Sequence, residues 1–160
     1  MFFTGCSSDP EQDSLARISS TGRVITAEQV IDSQFKELKR YDITDLPGAS
    51  AAVYGFMKSG SEAFDYEVRV YESHGKAVEL GTALAEEGSG PDAVLGEADA
   101  VFKEGVRDRR LAYRGDRGAA GPKYGGYVIY DNLIVLCQGV DLEQFIERCE
   151  YFVSELHLDD

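Results

Sequence analysis

Residues 125–138 read GGYVIYDNLIVLCQ, two apolar runs of strand-forming residues meeting at Asp131-Asn132. Asp and Asn at the centre of a two-residue corner tolerate the positive φ that a tight hairpin turn demands. Counting outward from it pairs Tyr130 with Leu133, Ile129 with Ile134, Val128 with Val135 and Tyr127 with Leu136. One face of the hairpin then carries Val128, Tyr130, Leu133, Val135 and Cys137, and the other carries Tyr127, Ile129, Ile134 and Leu136. Neither face is polar, so protein must cover both. One cover follows directly. Leu142, Phe145, Ile146, Cys149, Val153 and Leu156 recur at steps of three and four, giving a helix over 141–156 with one apolar stripe. Asp141 is placed to cap it, and Glu143 suits the positive end of its dipole.

Upstream, Thr26-Ala27-Glu28-Gln29 fits a capping box, and Val30, Ile31, Phe35 and Leu38 extend a helical stripe to about Tyr41. Two strand-like runs follow, 51–58 and 64–72. The second alternates Tyr66, Val68 and Val70 with Asp65, Glu67 and Arg69, the pattern of an edge strand with its charged face in water. Ser73 can cap a helix over 76–87 that turns Ala77, Val78, Leu84 and Ala85 inward, against the cost of Gly81. Val94, Leu95, Ala98, Val101, Phe102 and Val106 predict a third helix over 92–109.

The order is α-ββ-α-(α)-ββ-α: an α+β fold with an antiparallel sheet of four to five strands and helices packed on it. The two hairpin-then-helix units, 51–87 and 125–156, also fit a decayed internal repeat. With 160 residues, 43% of them apolar, the body at 26–158 suits a single domain with a proper core. Residues 1–25 read as a residual leader and a flexible tether, since 7–23 are polar, rich in Ser and acids, and aperiodic.

The tether begins at a distinctive cysteine. Phe3-Thr4-Gly5-Cys6, followed by Ser7-Ser8, resembles the lipobox of bacterial lipoproteins, with Phe3 standing where that family prefers leucine. The resemblance implies cleavage before Cys6, Cys6 as the lipid attachment residue, and an extracytoplasmic protein held to the membrane by that anchor alone. Cys137 and Cys149 make an even pair within the hairpin-plus-helix unit. They are either a disulfide or two reduced core cysteines acting as small hydrophobes. No run of 18 apolar residues is present to span a bilayer.

A net charge of −13 opposes docking on nucleic acid through bulk electrostatics. Against it stands a basic stretch, Arg107, Arg109, Arg110, Arg114, Arg117 and Lys123, broken only by Asp108 and Asp116. Arginine forks suit carboxylates and phosphates, so this stretch is the candidate anion site; the competing reading is a solvated loop paired with the protein's own acids. Residues 115–123 miss the P-loop spacing, and Arg114-Gly115-Asp116 is only a three-letter adhesion match. His74 and His157 have no histidine or cysteine at metal-ligand spacing, and Ser73 beside His74 is better read as a cap than as an activated nucleophile. Glu86-Glu87 and Asp159-Asp160 read as solvated ends rather than an acid/base couple.

Tyr54, Tyr66, Tyr71, Tyr113, Tyr124, Tyr127 and Tyr130 fall in or beside strands, where they either line a cleft or interface or fill the margins of a core. The pattern holds no cofactor motif, metal set or catalytic constellation. The leading expectation is a lipid-anchored, extracytoplasmic, non-enzymatic module that binds a protein or small ligand. The alternative is a soluble homodimer that binds a small anion through 107–117. A third reading is an enzyme using Arg109 or Arg110 with a tyrosine on an anionic substrate.

Overall fold

A computed structural model describes residues 15–112, 120–156 and 158. In chain order the elements are β1 (Ile18–Ser19), α1 (Ala27–Asp32), β2 (Lys36–Arg40), β3 (Ala49–Ser59), β4 (Glu62–Tyr71), α2 (His74–Lys76), a π-helical segment (Ala77–Gly81) and α3 (Thr82–Gly88). The remainder are β5 (Arg110–Ala112), β6 (Ala120–Pro122), β7 (Tyr124–Tyr130), β8 (Leu133–Gln138) and α4 (Leu142–Glu155). Cys6, Tyr113, Arg114, Asp116, Arg117, His157 and the last two aspartates lie outside the described residues.

The hairpin forms in the counted register, Tyr130 opposite Leu133 through Tyr127 opposite Leu136. Asp131 carries the positive φ, 51°; Asn132 does not. Instead Asn132 is wholly buried and acts as a tie. Its Nδ2 donates to the carbonyls of Ile25 and Tyr71, both at 2.8 Å, and its Oδ1 accepts from the Ile25 amide at 2.7 Å. Three backbone groups beside the corner, which pairing within the sheet leaves over, are satisfied by one side chain.

Both hairpin faces are covered. Val128, Leu133, Val135 and Cys137 pack with Val30, Phe35, Phe145, Cys149 and Phe152. On the other side Ile129, Ile134 and Leu136 pack with Tyr71, Ala77 and Ala85. The helices that follow the two hairpins therefore cover opposite faces of one sheet. Asp141 caps α4, accepting from the Gln144 amide at 2.8 Å, and the helix buries Phe145 and Cys149 of the expected stripe together with Phe152, which the stripe did not include. Leu142, expected on that stripe, is instead 63% exposed at the start of the helix. Cys137 and Cys149 are joined as a disulfide, with Cα atoms 5.7 Å apart, tying β8 to α4.

The fold is α+β, but its sheet is six-stranded and mixed, in the order β1-β7-β8-β4-β3-β2, beside a small β5-β6 pair. Three local causes separate it from the expected antiparallel sheet. Residues 15–25 are not a free tether: β1 pairs parallel with β7, and Ile25 is buried. The first helix keeps its capping box at Thr26 and Gln29 but stops at Asp32. There the backbone of Ser33 turns extended, its hydroxyl donates to Gln29 O at 2.9 Å, and Phe35 turns into the core against Phe152. Lys36–Arg40 then forms the sheet's far edge, where alternating charges and an exposed Leu38 suit an unpaired border. The helix expected over 92–109 is absent; that segment runs as turns that bury Ala100, Phe102 and Val106 while Val101 faces out.

β4 is not an edge strand. It lies between β3 and β8, and of the face expected in water Glu67 and Arg69 are fully buried while Asp65 is half-buried. The expected helix over 76–87 exists as the run from α2 to α3, with Ser73 Oγ accepting from Lys76 N, but it passes through a π-helical stretch ending at Gly81. Gly81 rests on Tyr71 and Ile134, and a Cβ there would come within 2.6 Å of the Tyr71 hydroxyl. The Gly81→Ala variant should therefore lose about 1–3 kcal/mol of stability, although alanine favours a helix by about 1 kcal/mol. Urea unfolding of the two proteins measures the difference.

Candidate functional site

Among the described residues, the members of the basic stretch do not share one surface. Arg107 and Arg110 are exposed, whereas Arg109 is completely buried. Its guanidinium donates to three carbonyl oxygens of the chain that roofs the sheet: Phe102 at 2.6 Å, Glu87 at 3.1 Å and Val94 at 3.2 Å. Burial holds its pKa below the usual arginine value, and nearby Glu67 offsets that only in part. Beneath it Arg69 Nε donates to Glu67 Oε1 at 2.7 Å, and the Arg69 guanidinium lies 5.0 Å from the centre of the Phe102 ring. Glu87, 3.7 Å from Arg109, also accepts from the amides of Val101 and Phe102. Glu67 and Arg69 are thus half of a sealed ion cluster, and residues 89–109 are its lid.

A second polar layer borders that cluster. Lys123 Nζ donates to Asp65 at 2.9 Å and to the Tyr54 hydroxyl at 3.0 Å, and Tyr54 donates to Asp65 at 2.9 Å. Burial alone would lower the Lys123 pKa; the bonds to Asp65 and Tyr54 outweigh it and keep the ammonium charged. Tyr41 donates to Asp108, which Lys39 also pairs at 2.9 Å. Burial raises the hydroxyl pKa of Tyr41, with Glu67 adding to it, and burial also raises that of Tyr124. These tyrosines stay protonated, and Tyr41 ties the body to Asp108 of the lid, while Lys39 and Asp65 keep this second layer in contact with solvent.

The hairpin corner forms a third polar centre. The Asp131 carboxylate is buried and accepts from the Thr21 amide and hydroxyl at 2.5 and 2.6 Å, from Gly22 N at 3.2 Å and from Ser20 Oγ at 3.3 Å. His74 Nδ1 lies 2.7 Å from the Asp131 carbonyl, so the imidazole is a fastening rather than a base for Ser73. Burial would raise the Asp131 pKa, but the Thr21, Ser20 and Gly22 bonds together set it below the usual carboxylate value. A depressed native pKa means that its contribution to stability is complete above the unfolded value and is lost as pH falls through the native one. The N-terminal strap, residues 15–25, should accordingly loosen in acid below about pH 4. Hydrogen exchange at Thr21 and Gly22 checks this, and in Asp131→Asn the acid-dependent step should vanish.

The open concavity lies elsewhere, at the end of the sheet where β7 begins and β8 leaves for α4. It is a cleft of about 850 Å³ bounded by Ser89–Asp92 on one side and Gly139–Leu142 on the other. Its floor exists because two glycines open β7. A Cβ on Gly126 would stand 2.5 Å from the Phe145 ring, and one on Gly125 would stand 2.8 Å from the Gly139 carbonyl. Phe145 drops into that space beside Tyr127, whose hydroxyl donates to Glu86 at 3.3 Å. The Arg17 guanidinium lies over both rings, 5.2 Å from the centre of Tyr127 and 5.4 Å from that of Phe145. Val140 and Leu142, 74% and 63% exposed, rim the cleft.

Among the described residues, Tyr127 is the one tyrosine singled out from the sequence that lines this cleft; Tyr66, Tyr71 and Tyr124 are buried in the body. Gly125 and Gly126 stand at the start of the predicted hairpin, but nothing near them in sequence points to Phe145. Arg17 carried no signal, because it lay in a segment read as tether.

Fold and site together define an α+β protein with a mixed sheet, a sealed ion cluster under one face and an aromatic-floored cleft at one end. Over residues 26–158 the chain matches DUF6810, a family of unknown function, and it belongs to that family. No curated protein and no solved structure matches it.

Proposed function

We propose that this protein is a lipid-anchored, extracytoplasmic, non-enzymatic module whose cleft at Gly125, Gly126 and Gly139 receives a ligand or a segment of a partner. The observation that carries the binding half is the cleft itself: a concave surface with an aromatic floor, a few polar groups at its walls and an exposed apolar rim is what recognition sites are built from. Two features support the address. The lipobox-like Phe3-Thr4-Gly5-Cys6 supplies the anchor, and the Cys137–Cys149 disulfide suits an oxidising compartment.

Two independent experiments bear on the two halves. Mass spectrometry of the protein from its native host should find a chain that begins at Cys6 and carries acyl groups; an unmodified Cys6 thiol within a longer chain would end the anchoring proposal. For the cleft, a chemical-shift screen of the full chain against small metabolites and short peptides should perturb Gly125, Gly126, Gly139 and Tyr127 together. A binder that shifts only residues 107–112 would move the site to the basic stretch.

A further inference from the structure

We infer that the cleft recognises an arginine side chain of a basic partner polypeptide, and that Arg17 is its built-in stand-in. This rests on the reading of the cleft as the binding site and adds the class of its occupant. The guanidinium of Arg17 shows what the aromatic pair accepts: a flat cation lying over Tyr127 and Phe145, with Nη2 donating to the Tyr127 carbonyl at 3.3 Å. Guanidinium groups stack on aromatic faces better than the compact ammonium of lysine.

The surrounding charge has the matching sign. Glu86, Asp92 and Asp141 line the cleft, and a second groove of about 580 Å³ continues from it along α4 past Glu143, Glu147 and Glu150. Arg17 is the one cation among the described residues lining either groove. Some of these carboxylates are already engaged. Glu86 accepts from Tyr127, Asp141 from Gln144 N, and Glu150 from Leu15 N at 2.7 Å. A carboxylate has about four lone-pair sites, so the bonds already made leave each able to accept another donor. The second groove also has an apolar side, Leu15, Leu142 and Ile146, so its length and make-up suit an extended peptide rather than a lone small cation.

Exchange requires little rearrangement. The strap backbone is fixed independently of the Arg17 side chain: Ile129 N donates to Arg17 O at 2.7 Å, Asp131 N donates to Ser19 O at 3.0 Å, and the Asp131 carboxylate holds Ser20, Thr21 and Gly22. Arg17 is exposed, so its side chain can swing into water while β1 stays paired. A partner's arginine then takes the same rings and carbonyl. The resident group weakens binding by the fraction of time that it occupies the site.

The test titrates the full chain with acetyl-Ala-Arg-Ala-Arg-Ala-amide, following the amides of Tyr127, Gly126 and Leu142 by NMR. The same peptide with citrulline keeps the shape and removes the charge, and acetyl-glutamate amide serves as the anionic probe. Arg17→Ala, with its melting temperature checked against the parent, should bind the arginine peptide about three- to fivefold more tightly, as expected for removing an exposed cation–π competitor. Glu86→Gln should weaken it, and the citrulline peptide should not bind. Equal binding of the citrulline peptide, weaker binding by Arg17→Ala, or no arginine-peptide binding to either protein would overturn the inference. Binding of acetyl-glutamate amide that disappears in Arg17→Ala would also overturn it, making Arg17 an anion receptor and leaving the cleft as the site.

Discussion

Arg109→Leu should lower the unfolding free energy by about 3–5 kcal/mol, the usual cost of breaking a buried ion pair from one side. The cost has two sources. Three carbonyls, of Glu87, Val94 and Phe102, lose their donor in a place that water does not reach, and Glu67 and Glu87 lose a neighbouring positive charge. For a chain of this size such a loss corresponds to a fall in melting temperature of roughly 10 °C. The damage should be local in its origin. Hydrogen exchange should rise first at Val101, Phe102 and Arg110, before the β7–β8 ladder. Arg109→Lys keeps the charge but lacks the fork that reaches three carbonyls, so it should fall between the two. A leucine variant within about 1 kcal/mol of the parent would mean that the lid is held by its apolar contacts alone.

The double variant Cys137→Ala/Cys149→Ala should lose about 2–4 kcal/mol in urea, and a reductant should bring the parent toward the same midpoint. The closed loop is short, since the two residues are 12 apart, so the chain-entropy contribution lies toward the lower part of that range. Both positions are wholly buried in the core that includes Phe145 and Phe152, and deleting the two sulfur atoms adds a packing loss. A variant as stable as the oxidised parent would show that β8 and α4 hold together without the bond. It would also withdraw the support that the disulfide lends to the proposed address.

The parts of the fold that could be read in advance are those in which local pattern and tertiary environment agree. The 131–132 corner, its register, the α4 stripe and the Thr26 cap are cases in which one short stretch carries the whole signal. The misreadings arise where distant chain decides. Alternation of Val68 and Val70 with Glu67 and Arg69 looks the same whether the charges meet water or a lid supplied 20 to 40 residues later. The spacing of Ala98, Val101, Phe102 and Val106 mimics a helix, yet Arg109 draws the carbonyls of that segment toward itself and settles it into turns. Arg17 could not be picked out at all, because its partners Tyr127 and Phe145 lie more than a hundred residues away.

The way the strap meets the hairpin corner has a mechanical consequence. Thr21 and Gly22 are bound to Asp131, while Ile25 is bound to Asn132, so the chain entering the body is fastened to the two turn residues themselves. Any pull travelling along the preceding residues is delivered there, and the two-residue β1 ladder and one carboxylate must yield before the sheet carries load. The corner is thus the last anchor along that path: Leu15 and Arg17 come before it, so tension from the N-terminal side acts on the cleft and its adjoining groove first and on the turn only afterwards.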